Sequence, residues 1–163
     1  MTDENRDIAE PVPNERLASL GVAVIGAGSV GLEVIRGLQR LGIRRIDVYE
    51  IDPAVAAATP ASCAVYAGDF WDQLTLARLR DYDFAVCTVD DAGARARLNQ
   101  KCLVANVNLM VVATDGGLAR VAAYPFAELD SCACHECATP AAAAPVPIAS
   151  MKLSVRDDED DPL

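Results

Sequence analysis

The chain has 163 residues, of which 52% are hydrophobic and 23% charged, and its formal net charge is −10 at pH 7. This length and composition predict one domain with a filled core. The negative charge argues against a nucleic-acid surface, which requires clustered lysine and arginine. No apolar run reaches the roughly 18 residues of a membrane span, and the polar N-terminus differs from a secretory signal. We therefore expect a cytoplasmic protein that binds neither nucleic acid nor membranes, with its six cysteines reduced.

Short apolar runs alternate along the chain with segments of helical period. The predicted strands lie at 22–25, 46–51, 64–66, 84–88, 109–112 and 118–124, and the predicted helices at 30–41, 71–80 and 91–105. Strands that alternate with helices form parallel β-α-β units. We therefore expect an α/β fold, a Rossmann-like doubly wound and mostly parallel sheet with helices on both faces. The last strand follows its predecessor too closely for a crossover and should pair with it antiparallel.

The chain divides by composition into three parts. Residues 1–16 lack a hydrophobic period and predict a flexible leader, and residues 17–137 carry the Rossmann-like, nucleotide-binding domain. Residues 138–163 combine an Ala/Pro-rich linker with an acidic tail. Three cysteines in apolar segments are expected to be buried packing residues, namely Cys63, Cys87 and Cys102.

The strongest motif is a G-x-G-x-x-G turn at 26–31, between the first predicted strand and the first predicted helix. In such a turn Gly26 permits the tight bend, Gly28 lets a phosphate approach the backbone, and Gly31 lets helix and strand pack closely. Glu50 follows Gly31 by 19 residues, at the end of the second strand, where a carboxylate can accept hydrogen bonds from ribose hydroxyls. These residues predict a site for an adenine nucleotide. A fold that has lost its ligand is the alternative, but it leaves Glu50 without a role.

Two carboxylates, Asp90 and Asp91, follow the fourth predicted strand and precede a helix. Ligands of doubly wound sheets bind at such strand ends, and a carboxylate there can hold Mg²⁺ against a triphosphate. Either aspartate could instead be the N-cap of the helix, which is an ordinary role at this position. The spacing alone leaves both interpretations open.

Several motifs together resemble the ThiF/MoeB/HesA group, the bacterial relatives of ubiquitin-activating enzymes. They are the glycine turn, the Y-E-I-D segment at 49–52, the Asp90-Asp91 pair followed by Arg95 and Asn99, the Gly116-Gly117 pair, and the C-H-E-C segment at 134–137. The resemblance covers roughly residues 17–140, which is most of the part of the chain expected to be ordered.

This resemblance implies ATP-dependent adenylation of a C-terminal carboxylate, that of a ubiquitin-like carrier protein or of a peptide. It implies that the three glycines of the turn cradle phosphate and that Glu50 holds the ribose. It also implies that Asp90 is the metal-linked catalytic aspartate and that Arg95 supports its loop. Mg²⁺ would offset charge as the carboxylate attacks the α-phosphate and pyrophosphate departs.

The chain departs from the family after the second strand, where family members carry an arginine-containing segment and then a lysine. Here Asp52 and Pro53 lead into an Ala-rich stretch, and the next Arg or Lys is Arg78. Developing phosphate charge would then lack its electrostatic partner, unless another chain supplies a cation. We therefore expect a homo-oligomer or a hetero-complex. The alternatives are a non-catalytic scaffold that binds a peptide or protein, and an NAD(P)-binding oxidoreductase domain.

A cysteine cluster, formed by Cys132, Cys134 and Cys137, lies near the end of the predicted domain. The family's structural zinc uses two C-x-x-C pairs, whereas this sequence has one, so three thiolates need a further ligand. His135 lies inside the pair, where binding the same tetrahedral ion is geometrically awkward. Zinc on the three cysteines, a metal-free vestige, and a redox or acyl-carrying thiol all remain open.

Overall fold

The structure, a computed structural model, describes residues 15–115, 118–128 and 132–138. The strands are β1 (Gly21–Ile25), β2 (Arg45–Glu50), β3 (Ala64–Ala67), β4 (Phe84–Cys87), β5 (Asn108–Asp115) and β6 (Leu118–Tyr124). The helices are α1 (Glu15–Ala18), α2 (Ser29–Arg40), α3 (Pro53–Ala58), α4 (Phe70–Gln73), α5 (Leu76–Leu79), α6 (Ala92–Ala105) and α7 (His135–Ala138). The described residues form an α/β fold, as predicted.

One six-stranded sheet has the order β3-β2-β1-β4-β5-β6. The β1 strand pairs parallel with β2 on one side and with β4 on the other, so that Val24 lies opposite both Val48 and Val86. The β5 and β6 strands pair antiparallel, which confirms the prediction for the last strand. From β1 the chain first winds outward through β2 and β3, and then returns to the other side of β1 with β4. The boundary between β1 and β4 is therefore the point at which the winding reverses.

The core has two parts, one on each face of the sheet. On β1, Ala23 and Ile25 belong to the cluster that packs against α4, α5 and α6. The alternate residues Val22 and Val24 belong to the cluster that packs against α2. All four are at most 1% exposed, so the lack of alternation in this strand did indicate burial on both faces. The three cysteines predicted to be packing residues are also buried.

The α2 helix follows the glycine turn and ends one residue earlier than its apolar pattern predicts. Its last residue is Arg40, and Gly42 follows the C-cap with a φ of 85°. Leu41, the last residue of the predicted helix, is 49% exposed. The reason is that Leu41 is the C-cap, beyond the last residue of the helix, so the helical period no longer decides its direction.

The single helix predicted at 71–80 is also wrong, because this segment forms two short helices, α4 and α5. Leu74 and Thr75 separate them. The Thr75 hydroxyl accepts a hydrogen bond from the backbone N–H of Arg78 and so begins α5 as its N-cap. The buried Lys101 donates to the Leu74 carbonyl from α6, across 2.6 Å. Both contacts satisfy backbone groups that a continuous helix would have paired internally.

Other boundaries differ by one to three residues. The β2 strand ends at Glu50, and Ile51 lies in a bend with its side chain 68% exposed. The Ala-rich stretch forms α3, whose N-cap Asp52 accepts a hydrogen bond from the backbone N–H of Ala54. The β5 strand extends beyond the predicted 109–112 at both ends. It begins at Asn108, which pairs with Phe84 of β4, and it ends at Asp115, because β6 continues the ladder to that residue.

Some predictions fall on residues that the structure does not describe. These include the leader up to residue 14, the Gly116-Gly117 pair, and the linker and tail from residue 139 onward. The last two residues of the predicted leader, 15 and 16, belong to α1. Among the described residues, no helix combines the length and apolar character needed to cross a membrane.

Candidate functional site

The glycine turn lies at the carboxyl end of β1, beside the end of β4. Gly26 follows the last residue of β1, and its N–H donates to the Tyr49 carbonyl of β2. Residues 88–91 leave β4 at the same edge and lead into α6. Open α/β sheets bind their ligands at this edge, in the crevice where the winding reverses. The structure therefore brings the predicted turn, Glu50 and Asp90 to one edge of the sheet.

Two glycines of the turn are required by the fold itself. Gly26 has a φ of 95°, in the left-handed region that favours glycine. At Gly31, an added Cβ would lie 2.2 Å from the Gly26 carbonyl oxygen. The close approach of α2 to the turn therefore leaves no room for a side chain at that position. Backbone conformation at Gly26 and close packing at Gly31 therefore account for these two glycines without a ligand.

Gly28 differs from its two neighbours because packing does not explain it. An added Cβ would meet nothing within 4 Å. The residue is exposed, with φ −60° and ψ −168°, and it is the N-cap of α2 without a side-chain hydrogen bond. Its backbone is thus open to the crevice, next to the N–H groups that begin the helix. This is the geometry expected where a phosphate approaches the chain.

Glu50 contacts the glycine turn directly. Its Oε2 accepts a hydrogen bond from the backbone N–H of Ala27 at 2.6 Å, and its Oε1 accepts one from the backbone N–H of Asp52 at 2.9 Å. The side chain is only 8% exposed. Glu50 therefore fixes the turn relative to the end of β2. A carboxylate has about four acceptor positions, so further hydrogen bonds to the same oxygens are chemically available.

Thr88 contacts the glycine turn and was not predicted from the sequence. Its buried hydroxyl lies 3.0 Å from the Ile25 carbonyl oxygen and 2.8 Å from the Gly26 carbonyl oxygen. Its backbone N–H also donates to Ile25. The residue thus ties the start of the loop after β4 to the glycine turn. The sequence does show a threonine directly after a buried strand. That position indicates a contact with the turn only when β4 is known to pair with β1.

The two aspartates after β4 have different roles. Asp91 is the N-cap of α6, and its Oδ1 accepts a hydrogen bond from the backbone N–H of Ala94 at 2.6 Å. Asp90 is exposed. Its carboxylate makes no hydrogen bond or ion pair with the part of the chain that the structure describes. The N-cap interpretation therefore holds for Asp91, and Asp90 is the carboxylate left exposed after β4.

Arg95 lies on the first turns of α6 and contacts the loop that precedes it. One guanidinium nitrogen is 3.5 Å from the Val89 carbonyl oxygen, adjacent to Asp90. This contact matches the supporting position that the family resemblance implied, and its part in any reaction stays a prediction.

Positive charge is missing from the segment that follows β2. Residues 53–77, which include α3 and β3, contain neither lysine nor arginine. The Arg78 guanidinium packs over the Tyr66 ring, 4.2 Å from its centroid. Lys101 is 6% exposed and donates to two backbone carbonyls. The triphosphate-binding cations expected of the family are thus missing from this segment of the chain.

The C-H-E-C segment packs against the middle of α6 through Asn99. This asparagine is fully buried. Its Oδ1 accepts from the backbone N–H of His135 at 3.0 Å, and its Nδ2 donates to Glu136 at 3.2 Å. The Tyr124 hydroxyl lies 3.1 Å from Nδ1 of His135. Asn99 is therefore an anchor for the cysteine segment, a role that the sequence pattern did not reveal.

The surroundings of this segment change the acidity of two side chains. Partial burial alone raises the pKa of the Cys134 thiol, but hydrogen bonds from the Cys137 backbone and the Asn99 side chain outweigh it, and the pKa is lowered. Burial lowers the pKa of His135, and the nearby positive charge of Arg95 lowers it further. The surroundings therefore favour the neutral form of His135 and the thiolate form of Cys134.

Zinc binding at the three clustered cysteines stays a prediction. The Sγ atoms of Cys134 and Cys137 lie 3.5 Å apart, close enough to share one ion. Within the described residues, however, no group of three or more His, Cys, Asp or Glu side chains is placed to hold a metal. A structural zinc site needs four ligands, so Cys132 and His135 do not complete one in this arrangement.

A cavity of about 330 Å³ lies elsewhere on the molecule. It is formed where β4 and β5 begin, and its lining includes Phe84, Asn108 and Glu128. This is the opposite end of the strands from the glycine turn. Ligand sites of doubly wound sheets lie at the carboxyl ends, so this cavity is separate from the candidate site.

No protein-family model matches the chain, and a search of the curated proteins finds no match either.

Proposed function

We propose that the chain binds ATP at the 26–31 turn and acts as a ThiF-like adenylyltransferase. Its substrate would be the C-terminal carboxylate of a ubiquitin-like carrier protein or of a peptide, and the setting would be the cytoplasm. The observation that carries this proposal is the open backbone at Gly28, which follows β1 where the sheet reverses its winding. The Glu50 carboxylate accepts a hydrogen bond from the adjacent residue, Ala27.

Nucleotide binding is supported by the contrast among the three glycines. Packing requires Gly26 and Gly31, whereas only Gly28 presents space that a side chain would fill. A phosphate placed there would meet the N–H groups and the positive dipole end of α2, a helix of 12 residues. The Glu50 oxygens, already oriented by two backbone N–H groups, would accept the ribose hydroxyls.

Adenylation is supported by the arrangement after β4. Asp91 is occupied as the helix cap, while Asp90 is exposed at the crevice edge, and Arg95 contacts the connecting loop. Aspartate oxygens are ligands that Mg²⁺ prefers. When bound, the ion would offset negative charge on the phosphates during transfer. In this proposal Asp90 holds the ion, and Arg95 keeps the Asp90 loop in position.

The cation-free segment at 53–77 implies that a second chain completes the site. Charge that develops on the departing pyrophosphate needs a positive partner, and a second copy or a carrier-protein complex would supply it. The same segment favours a second candidate function, that of a scaffold which binds a peptide or protein without catalysis. An NAD(P)-binding oxidoreductase domain is a third candidate, since the glycine turn also suits dinucleotides.

Calorimetric titration with ATP and Mg²⁺, and separately with NAD⁺, tests nucleotide binding. We expect wild type to bind ATP and Gly28→Ala to bind it at least about tenfold more weakly, a loss of about 1.4 kcal/mol. The added methyl group would occupy the space of the phosphate. Gly37→Ala is the matched control: its Cβ also meets nothing within 4 Å, but it lies further along α2. This control should bind ATP as wild type does.

Each outcome decides between the candidates. Stronger binding of NAD⁺ than of ATP would favour the oxidoreductase, and binding of neither would favour the scaffold. Equal ATP affinity in Gly28→Ala and Gly37→Ala would exclude Gly28 as the phosphate position. Exchange of labelled pyrophosphate into ATP, with peptides ending in Gly-Gly as substrates, then tests adenylation. A chain that binds ATP but shows no exchange, alone or with a carrier protein, would contradict the proposed reaction.

A further inference from the structure

The thiols of Cys134 and Cys137 are near neighbours, with 3.5 Å between their Sγ atoms. A disulfide requires about 2.05 Å between the sulfurs and about 5.5 Å between the Cα atoms. Two residues between the cysteines and a helical turn that starts at residue 135 bring the side chains to the same side. The two sulfurs therefore need to approach each other by only about 1.5 Å to reach bonding distance.

The pair is fixed to the domain, because its connecting residues are held by buried groups. Asn99 binds the backbone N–H of His135, and Glu136 binds the Asn99 side chain. The His135 ring contacts Tyr124 at an interplanar angle of 80°. The short distance between the sulfurs is thus maintained by contacts with α6 and β6, and the two thiols stay close in the reduced protein.

The pair is also accessible to small reagents. Cys137 is exposed and Cys134 is partly exposed. By contrast, Cys63, Cys87 and Cys102 are buried in the two core clusters, where an external reagent does not reach the sulfur. Exposure distinguishes this pair from the three buried cysteines. Cys132 is also partly exposed, and the short contact between the sulfurs of Cys134 and Cys137 distinguishes the pair from it.

We propose that Cys134 and Cys137 form a dithiol that exchanges with low-molecular-weight disulfides, an activity separate from the nucleotide site. The exposed Cys137 thiolate attacks one sulfur of the disulfide RSSR, forms a mixed disulfide, and releases one RS⁻. Cys134 then attacks the Cys137 sulfur, closes the intramolecular disulfide, and releases the second RS⁻. The protein loses two electrons, the disulfide gains them, and the protons of the two cysteine thiols end on two RSH molecules.

Equilibration of the full chain with mixtures of reduced and oxidised glutathione tests this proposal. After the free thiols are blocked by alkylation, mass spectrometry of the peptides locates each disulfide. We expect a disulfide between Cys134 and Cys137 at oxidising ratios, with two reduced glutathione molecules released per chain, and full reversal by excess dithiothreitol. Circular dichroism should show an unchanged fold, since the sulfurs are already adjacent.

Single substitutions distinguish disulfide exchange at Cys134 and Cys137 from reactions of the other cysteines. Cys134→Ser removes the resolving thiol, so glutathione should remain attached at Cys137 as a stable mixed disulfide. Cys132→Ser is the matched control and should leave the exchange unchanged. Absence of the disulfide at every ratio, or its formation with Cys132 instead, would overturn the proposal. So would thiols that react only after a chelator removes zinc, because the pair would then be a metal site.

Discussion

The carboxylate of Glu50 accepts a hydrogen bond from the backbone N–H of Ala27, with 2.6 Å between Oε2 and N. The residue predicted to hold a ribose therefore also holds the glycine turn in its conformation. One side chain links the end of β2 to the turn after β1, and any nucleotide at this site would meet a carboxylate that is already oriented. Substitution of Glu50 should consequently affect stability as well as binding.

We predict that Glu50→Gln lowers the free energy of unfolding by about 1 to 3 kcal/mol. Both Glu50 oxygens accept backbone N–H groups, those of Ala27 and Asp52. The amide group of glutamine replaces one acceptor with a donor, so one of these N–H groups loses its partner. Urea denaturation measures the change. Unchanged stability in Glu50→Gln would show that the two hydrogen bonds do not stabilise the turn.

Gly31→Ala should destabilise the domain by about 3 kcal/mol or more. The new Cβ would lie 2.2 Å from the Gly26 carbonyl oxygen, so α2 would have to move away from β1. Gly37→Ala, on the same helix, meets no atom within 4 Å and should instead stabilise by roughly 0.5 to 1 kcal/mol. Thermal and urea unfolding of the two variants check the contrast. Similar stabilities would mean that α2 does not pack as closely on the turn as the structure has it.

Alanine substitutions should show that Asp90 has a functional role and that Asp91 has a structural one. Asp91→Ala removes the N-cap of α6 and should cost about 1 kcal/mol of stability. Asp90→Ala should change stability by less than about 0.5 kcal/mol, because the side chain is exposed, and should abolish pyrophosphate exchange. Exchange that survives in Asp90→Ala would show that this carboxylate does not hold the metal ion.

The ionisation of Lys101 makes the free energy of unfolding depend on pH. Burial lowers the pKa of this lysine from 10.5 to about 8, although Asp69 and Asp72 nearby act to raise it. Below about pH 8 the lysine is charged in both states, and burial of that charge costs stability. Between about 8 and 10.5 the unfolded state binds more protons than the folded state, so this term stabilises the fold as the pH rises.

Comparison with Lys101→Met isolates this term. From pH 8 to pH 10, the stability of wild type should rise relative to the variant by roughly 2 kcal/mol. The absolute profile of either protein is less informative, because burial raises the pKa of Cys87 to about 11 and of Cys102 to about 12, and these thiols act in the opposite direction. Parallel profiles of the two proteins in urea denaturation would contradict the lowered pKa of Lys101.

Local sequence patterns were sufficient to predict the sheet, most of its strands and the glycine turn. The burial of β1 on both faces followed from an apolar run without alternation, and the position of Glu50 followed from its distance to the turn. The break between α4 and α5 was not predicted, because the apolar spacing continues through it. Thr75 is a residue type that often caps helices, and it was the one local indication of a second helix start.

Contacts between distant parts of the chain account for what the sequence did not predict at the site. Thr88 and Gly26 are 62 residues apart, and their contact exists only because β4 pairs with β1. Asn99 and His135 are 36 residues apart and meet through the packing of the cysteine segment on α6. No local period or motif encodes either contact, since the first depends on the pairing of two strands and the second on the packing of α7 against α6.

The hydrogen bonds from Thr88 to Ile25 and Gly26 also bear on the order of events during synthesis. The turn near the N-terminus is complete only when a threonine more than 60 residues later has reached it. A ribosome-bound chain that stops before residue 88 therefore has an incomplete glycine turn, however well its first strands and helices have formed. We expect the N-terminal half to become resistant to proteases only after β4 has been synthesised and has paired with β1. The domain would then fold late and as a unit.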